Sequence, residues 1–228
     1  MEEKSSHWIT ISDMMSGIMM IFMMIAIAFM VTIDNDKKQL KIQHEKMRDL
    51  AKDYSNLQQE LYKDLMAEFG GDLKRWNAFI DEDTTIRFQK QDILFDVGQK
   101  KVKERFQKIL DDFFPRYVKI LYGEKYRDFI EDIRIEGHTS KDWEGAQSLE
   151  RRYLGNAELS QERAFEVLKY CFSLSSIADR REWLIPLLRA NGVSFAKPLA
   201  TDELSRRVEF QASFKANEQI LKILHAGE

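Results

Sequence analysis

The stretch WITISDMMSGIMMIFMMIAIAFMVTI, residues 8–33, is 26 residues long and carries one charge, Asp13. About 20 apolar residues suffice to cross about 30 Å of hydrocarbon. Residues 14–33 supply that length with no charge among them. Trp8 stands near one end, where an amphipathic ring suits the membrane interface. The tail before it, MEEKSSH, has one lysine against two glutamates. It lacks the basic start of a secretory signal, the apolar run is too long for one, and no small-residue cleavage site follows. The stretch reads as an uncleaved, single-pass anchor.

Two readings of Asp13 stand at this point. Asp is a favoured helix N-cap, and enough apolar residues follow it to span. A carboxylate at or inside the membrane edge is also costly, and such groups usually face a protein interior or an aqueous path. Partial burial would raise its pKa and let it take up and release an ion. Ser16, Gly17 and Met20 share its helix face and would admit a neighbouring helix closely. Of the 10 methionines, 7 fall between Met14 and Met30. Flexible thioethers suit a surface that repacks against neighbours, and no Cys or His lies among them to suggest copper.

Outward from the span, Lys37, Lys38, Lys41, Lys46 and Arg48 follow it closely. The positive-inside rule alone would place the C-terminal part in the cytoplasm. Residues 34–69 hold no proline or glycine. Ile33, Leu40, Met47, Tyr54 and Leu61 recur every seven residues, and Leu50 and Leu57 fill the middle of a second register. A helix there would extend about 54 Å at 1.5 Å per residue. The narrow stripe favours a parallel homodimer, with its best-packed part from Met47 to Leu61, over a single helix lying on its own domain. Gly70-Gly71 ends the helix, and residues 72–80 read as one more short helix carrying Trp76.

Beyond Asp83 the pattern changes. TTIRFQ reads as a strand, ILFDVG as a turn segment, residues 100–122 as a helix with a kink at Pro115, and residues 129–136 as a second strand. Residues 158–172 read as a helix, residues 180–190 as another ended by Asn191-Gly192, and residues 206–214 as the last strand. The expected fold is α+β: a single N-terminal membrane helix, a long helical connector, and a small α/β sandwich with helices on one face of its sheet. The domains expected are residues 1–33, 34–83 and 84–228.

The whole chain has 228 residues, 35 basic and 38 acidic side chains, and a net charge of -3. That excludes a polytopic membrane protein, a collagen and a disordered chain, and offers no basic excess for nucleic acid. The single cysteine, Cys171, precludes an intramolecular disulfide and a Cys-based zinc site. No phosphate-binding loop is present. His138, Ser140 and Asp142 are close in sequence, but HTSKD has no nucleophile turn or oxyanion hole around it, so an enzyme is not expected.

Taken in order, ILFDVG, IEGHTS, NAELSQERAFEV and SRRVEF resemble the OmpA-like, peptidoglycan-binding pattern: an F-x-x-G turn, a GHTD loop, an N-x-x-LS-x-x-RA helix and an NRRVE strand. With one Asp-bearing span before it, the chain is similar to the MotB class of ion-driven stator subunits. Within that class SDMMSGIMMIF is nearer to the ZorB subunits of Zorya anti-phage systems than to the flagellar ones.

The resemblance implies a proton- or sodium-driven stator B subunit with no bound cofactor and no metal. Asp13 would carry the ion. Two copies would stand inside a ring of probable five-fold MotA/ZorA-like multi-span partners in the inner membrane, N-terminus cytoplasmic, with residues 34–228 periplasmic and attached to peptidoglycan. That orientation overrides the lysine count, since folded domains translocate regardless of a few charges. The ligand contacts implied are Thr139, Asn156, Leu159 and Arg163, with Arg207 as an extra. Ser140 replaces the family Asp, so Asp142, in a longer loop with Glu144, is expected to meet the ligand ammonium. Arg163 and helix N–H groups suit a carboxylate. The residues alone also permit local roles: Asn156 starting its helix, Ser160 capping a turn, Thr139 holding the loop, and Arg163 in a surface ion pair worth little. A flagellar stator and a passive membrane-to-wall tether are the alternative functions.

Overall fold

The computed structural model describes residues 2–89, 91–96, 98–143, 145 and 148–215, with side chains from Ile11 onward except at residues 91 and 92. The Trp8 side chain and Glu144 lie outside the described residues. The chain divides into two compact units, one holding the first 52 residues and the other spanning Asp53–Ala216.

In the first unit the backbone is α-helix. Helix α1 covers Glu2–Phe69 and is the one described helix long and apolar enough to cross a membrane. None of its apolar residues between Ile11 and Ile33 is covered by the chain itself. So many uncovered Met, Ile and Phe side chains call for lipid or partner helices. Asp13 lies well inside α1, where the N–H groups already have helical partners. That removes the N-cap reading, because only the first turn has N–H groups to cap.

The second unit begins thirty residues before the boundary expected at residue 84. Leu61, Leu65 and Phe69, at the end of α1, are fully buried in its core, and Tyr54 and Leu57 pack against that core. The stripe read as a dimer seam is thus committed, from Tyr54 onward, to the domain's own interior. Upstream, Leu40 and Met47 remain exposed. Ion pairs fix the same helix end: Arg116 holds Glu68, Asp72 and Asp112, and Lys125 holds Glu60 and Asp64.

Helix α2 (Leu73–Trp76) is followed by strand β1 (Ala78–Ile80), where the sequence suggested only helix. Then come β2 (Ile86–Phe88), α3 (Gln91–Leu94), α4 (Glu104–Leu121), β3 (Ile130–His138), α5 (Leu149–Ser173), a 3-10 turn, α6 (Arg181–Leu184), β4 (Leu188–Ser194), α7 (Asp202–Ser205) and β5 (Val208–Phe214). The sheet order is β1-β2-β5-β3-β4, with β3 and β4 parallel and the other pairs antiparallel. Strand β4 corrects the helix expected over residues 180–190. Pro186 disfavours helix at the residue before it, and Leu188–Ser194 instead pairs beside β3.

Strand alternation gives the sheet two different faces. Ile86, Phe210 and Ile135 form one cross-strand row, and Phe88, Val208 and Gly137 the next on the same face. Helix α4 covers this face, with Phe113 packed on Phe88 and Phe210. Helix α5 comes closer still. A Cβ on Gly137 would stand 2.2 Å from the Ser160 carbonyl oxygen, and one on Gly192 would stand 2.4 Å from the Gln161 nitrogen. These glycines are what let α5 sit against β3 and β4. Asn191-Gly192 is therefore a contact inside a strand, not the end of a helix. The other face carries Arg87, Glu209 and Glu136 in one row.

Candidate functional site

Three of the sequence motifs meet at Arg163. It lies on the buried side of α5 and is 4% exposed. Its Nε donates to the Gln99 carbonyl at 2.9 Å and one Nη to the Asp96 carbonyl at 3.3 Å. The Phe95 ring lies 4.9 Å from the guanidinium carbon. The ILFDVG turn therefore wraps the arginine with backbone carbonyls and one aromatic face. No carboxylate among the described residues pairs with it. Burial, helped by the nearby Arg206 cation, lowers its pKa to about 10. A cation that has lost water without gaining a counter-ion favours an anionic ligand. The surface ion pair that the residues alone allowed is absent.

Helix α5 starts at Leu149, not near residue 158, with Ser148 as N-cap accepting from the Arg151 amide. Asn156 is consequently inside the helix and does not start it. Its side chain donates to the Arg152 and Asp142 carbonyls and so ties the 139–148 loop to α5. Ser160 does more than cap a turn. Its hydroxyl donates to the Ala157 carbonyl and accepts from the Ser194 amide, joining α5 to β4. Leu159 is half-buried on the same helix.

Thr139 and Ser140 leave the end of β3 beside a groove of about 550 Å3, which also includes Lys141, Arg152 and Phe195. The Thr139 amide donates to the Ser194 carbonyl, while its buried hydroxyl has no partner. The Ser140 hydroxyl accepts from Arg206 Nε at 3.0 Å. His138 does not reach Ser140, so the HTSKD segment assembles no nucleophile–base pair. Asp142 has an exposed side chain, open to solvent or ligand.

Arg207, expected as an extra contact, is used inside the fold. Its Nε donates to Glu209 Oε1, and its Nη groups donate to the Ser205 and Lys197 carbonyls. Arg206 is the one beside Ser140 and Arg163. The sequence showed two adjacent arginines, and only the register of β5 decides which of them reaches the loop.

In the membrane-type helix, Asp13 is exposed within the chain, and the Ser16 hydroxyl three residues on donates to the Ser12 carbonyl. That bond satisfies the serine inside its own helix. Asp13 is the single charge between Ile11 and Ile33.

No family profile matches the chain. Among solved structures it is similar to a MotB-like protein from Desulfovibrio vulgaris, at 23% identity and a TM-score of 0.49, over 72% of this chain and 98% of that one. It is also similar to the cell wall anchor of the T6SS from Pseudomonas aeruginosa, at 23% identity and a TM-score of 0.46, over 66% of this chain and 97% of that one. Two curated relatives are both named Zorya protein ZorB. One, from a second Escherichia coli strain, is 28% identical and is matched over 93% of this chain and 82% of its own length. The other, from the Crooks strain of Escherichia coli, is 39% identical over 230 residues, covering 98% of this chain and 94% of the relative. With that identity sustained from the membrane helix through the sheet domain, the chain belongs to the ZorB family of Zorya proteins.

Proposed function

We propose that the chain is the wall-anchored B subunit of an ion-driven inner-membrane motor serving anti-phage defence. Residues 53–216 hold peptidoglycan in the periplasm, and Asp13 passes protons at the interface with a MotA/ZorA-like multi-span partner. The observation that carries the wall-binding half is Arg163: a buried guanidinium, positioned by two carbonyls and left without a carboxylate, beside the unpartnered Thr139 hydroxyl. This combination suits a peptide carboxylate such as that of diaminopimelate. Asp142 is the exposed acid placed to meet an ammonium, since Ser140 is neutral and already accepts from Arg206.

Supporting the membrane half are the uncovered apolar helix and its single carboxylate. A group that only stabilised the helix would tolerate an uncharged amide. An ion carrier would not. Co-expression with the neighbouring multi-span gene tests both parts. The wild-type pair co-purifies as two copies of this chain inside a ring and protects cells from phage. Asp13→Asn co-purifies equally and gives no protection. Full protection by Asp13→Asn would remove the ion-carrying role, and purification without a multi-span partner would favour the passive tether.

A further inference from the structure

The charged face of the sheet holds a convergent set of ligand atoms that the peptidoglycan reading leaves unused. Glu136 and His138 are on β3 and Glu209 is on β5, all of them buried. One donor atom from each lies within 4.8 Å of the other two. His138 Nε2 is 3.2 Å from Glu209 Oε2 and 3.5 Å from Glu136 Oε2. Those separations have hydrogen-bond length but not hydrogen-bond direction, and both ring nitrogens of this histidine, 2% exposed, are without a hydrogen-bond partner. Leaving a buried imidazole unpaired is costly.

The arrangement has an alternative economy. Around a tetrahedral zinc ion, with N and O ligands at about 2.0–2.2 Å, neighbouring ligand atoms stand about 3.3 Å apart and point at the centre, not at one another. The carboxylates are oriented accordingly. Glu209 Oε1 accepts from both Arg87 and Arg207 at 2.6 Å, which leaves Oε2 turned to His138. Glu136 Oε1 lies 4.0 Å from Arg134, and its Oε2 also faces His138. Outer oxygens held from behind and inner oxygens converging on a histidine is how a second shell orients metal ligands. Lys197 is the one cation on the inner side, 3.2 Å from Glu136 Oε2, and its side chain is 60% exposed, free to swing out.

We propose that Glu136, His138 and Glu209 bind one divalent cation of the zinc class, with water in the fourth position and Lys197 as the occupant it displaces. One nitrogen and two carboxylate donors fit zinc better than calcium or magnesium, which prefer all-oxygen sets. The surrounding arginines weaken the site without filling it. The cation would tie β3 to β5 directly behind Thr139. The proposal goes beyond the wall-binding reading and does not depend on it.

Isothermal titration of the purified full-length chain with zinc chloride tests the site, with thermal melting as a second readout. The expected result is one saturable zinc per chain and a raised melting temperature. His138→Gln weakens binding by roughly tenfold or more and abolishes the thermal shift. Lys197→Ala tightens binding several-fold because the competing ammonium is gone. Absence of saturable binding overturns the proposal, as does unchanged binding in His138→Gln, which would assign the zinc to His7, His44 or His225. If His138→Gln does not fold, Lys197→Ala decides: unchanged zinc affinity there overturns the site.

Discussion

Arg163 has lost most of its water to burial and receives only carbonyls and an aromatic face in return. Replacing an uncompensated buried ion with an apolar side chain of similar length is often neutral or stabilising. Arg163→Met is therefore expected to keep or raise the thermal midpoint while losing ligand affinity, a split that a purely structural arginine would not give. Glu209 behaves in the opposite way. Burial alone would raise its carboxyl, but His138 and Arg207 beside it outweigh burial and hold it well below the ordinary value of 4.5. Glu136 is lowered as well, mainly by His138. A depressed folded-state pKa stabilises the fold above the unfolded value, and that stability is lost as pH falls below it. Melting temperature should fall between about pH 5 and pH 3. Glu209→Gln should start lower at neutral pH and fall less over that window. Arg163 and Thr139 were legible in the sequence because their motifs are local. The Glu136–His138–Glu209 set was not, because 71 residues separate its last two members and only the β3–β5 register joins them.

At the level of elements, periodicity located α1, α4, β3 and β5, and it failed where a segment's partner was remote. Strand β4 was hidden behind a helix-like LIPLLRAN run, and the start of α5 behind what read as an extended loop. The heptad stripe was real, but its second half serves the domain core. Leu65→Ala should cost about 2–5 kcal/mol by leaving a cavity, measured by chemical denaturation, whereas Leu40→Ala, at an exposed position, should cost little. Gly192→Ala should cost about 1–3 kcal/mol, since the added methyl meets the Gln161 backbone and α5 must move off β4.

For the molecule as a whole, the end of α1 belongs to the sheet domain, so the boundary of the folding unit can be tested directly. A fragment starting at residue 84 lacks Leu61, Leu65, Phe69 and Trp76 and should not fold. A fragment starting at residue 53 should show a cooperative melt. The order of motifs along the chain foretold the kind of domain. It did not show where that domain begins, because the core residues of α1 lie within a pattern equally suited to a helical stalk. The central claim is that this domain holds the cell wall through Arg163, and co-sedimentation of the full-length chain with purified peptidoglycan sacculi tests it most directly. Wild-type protein is expected to pellet with the sacculi and to be released by free diaminopimelate, while Arg163→Met, folded and equally stable, stays in the supernatant. Pelleting of Arg163→Met to the wild-type extent, or failure of the wild type to pellet, would contradict the account.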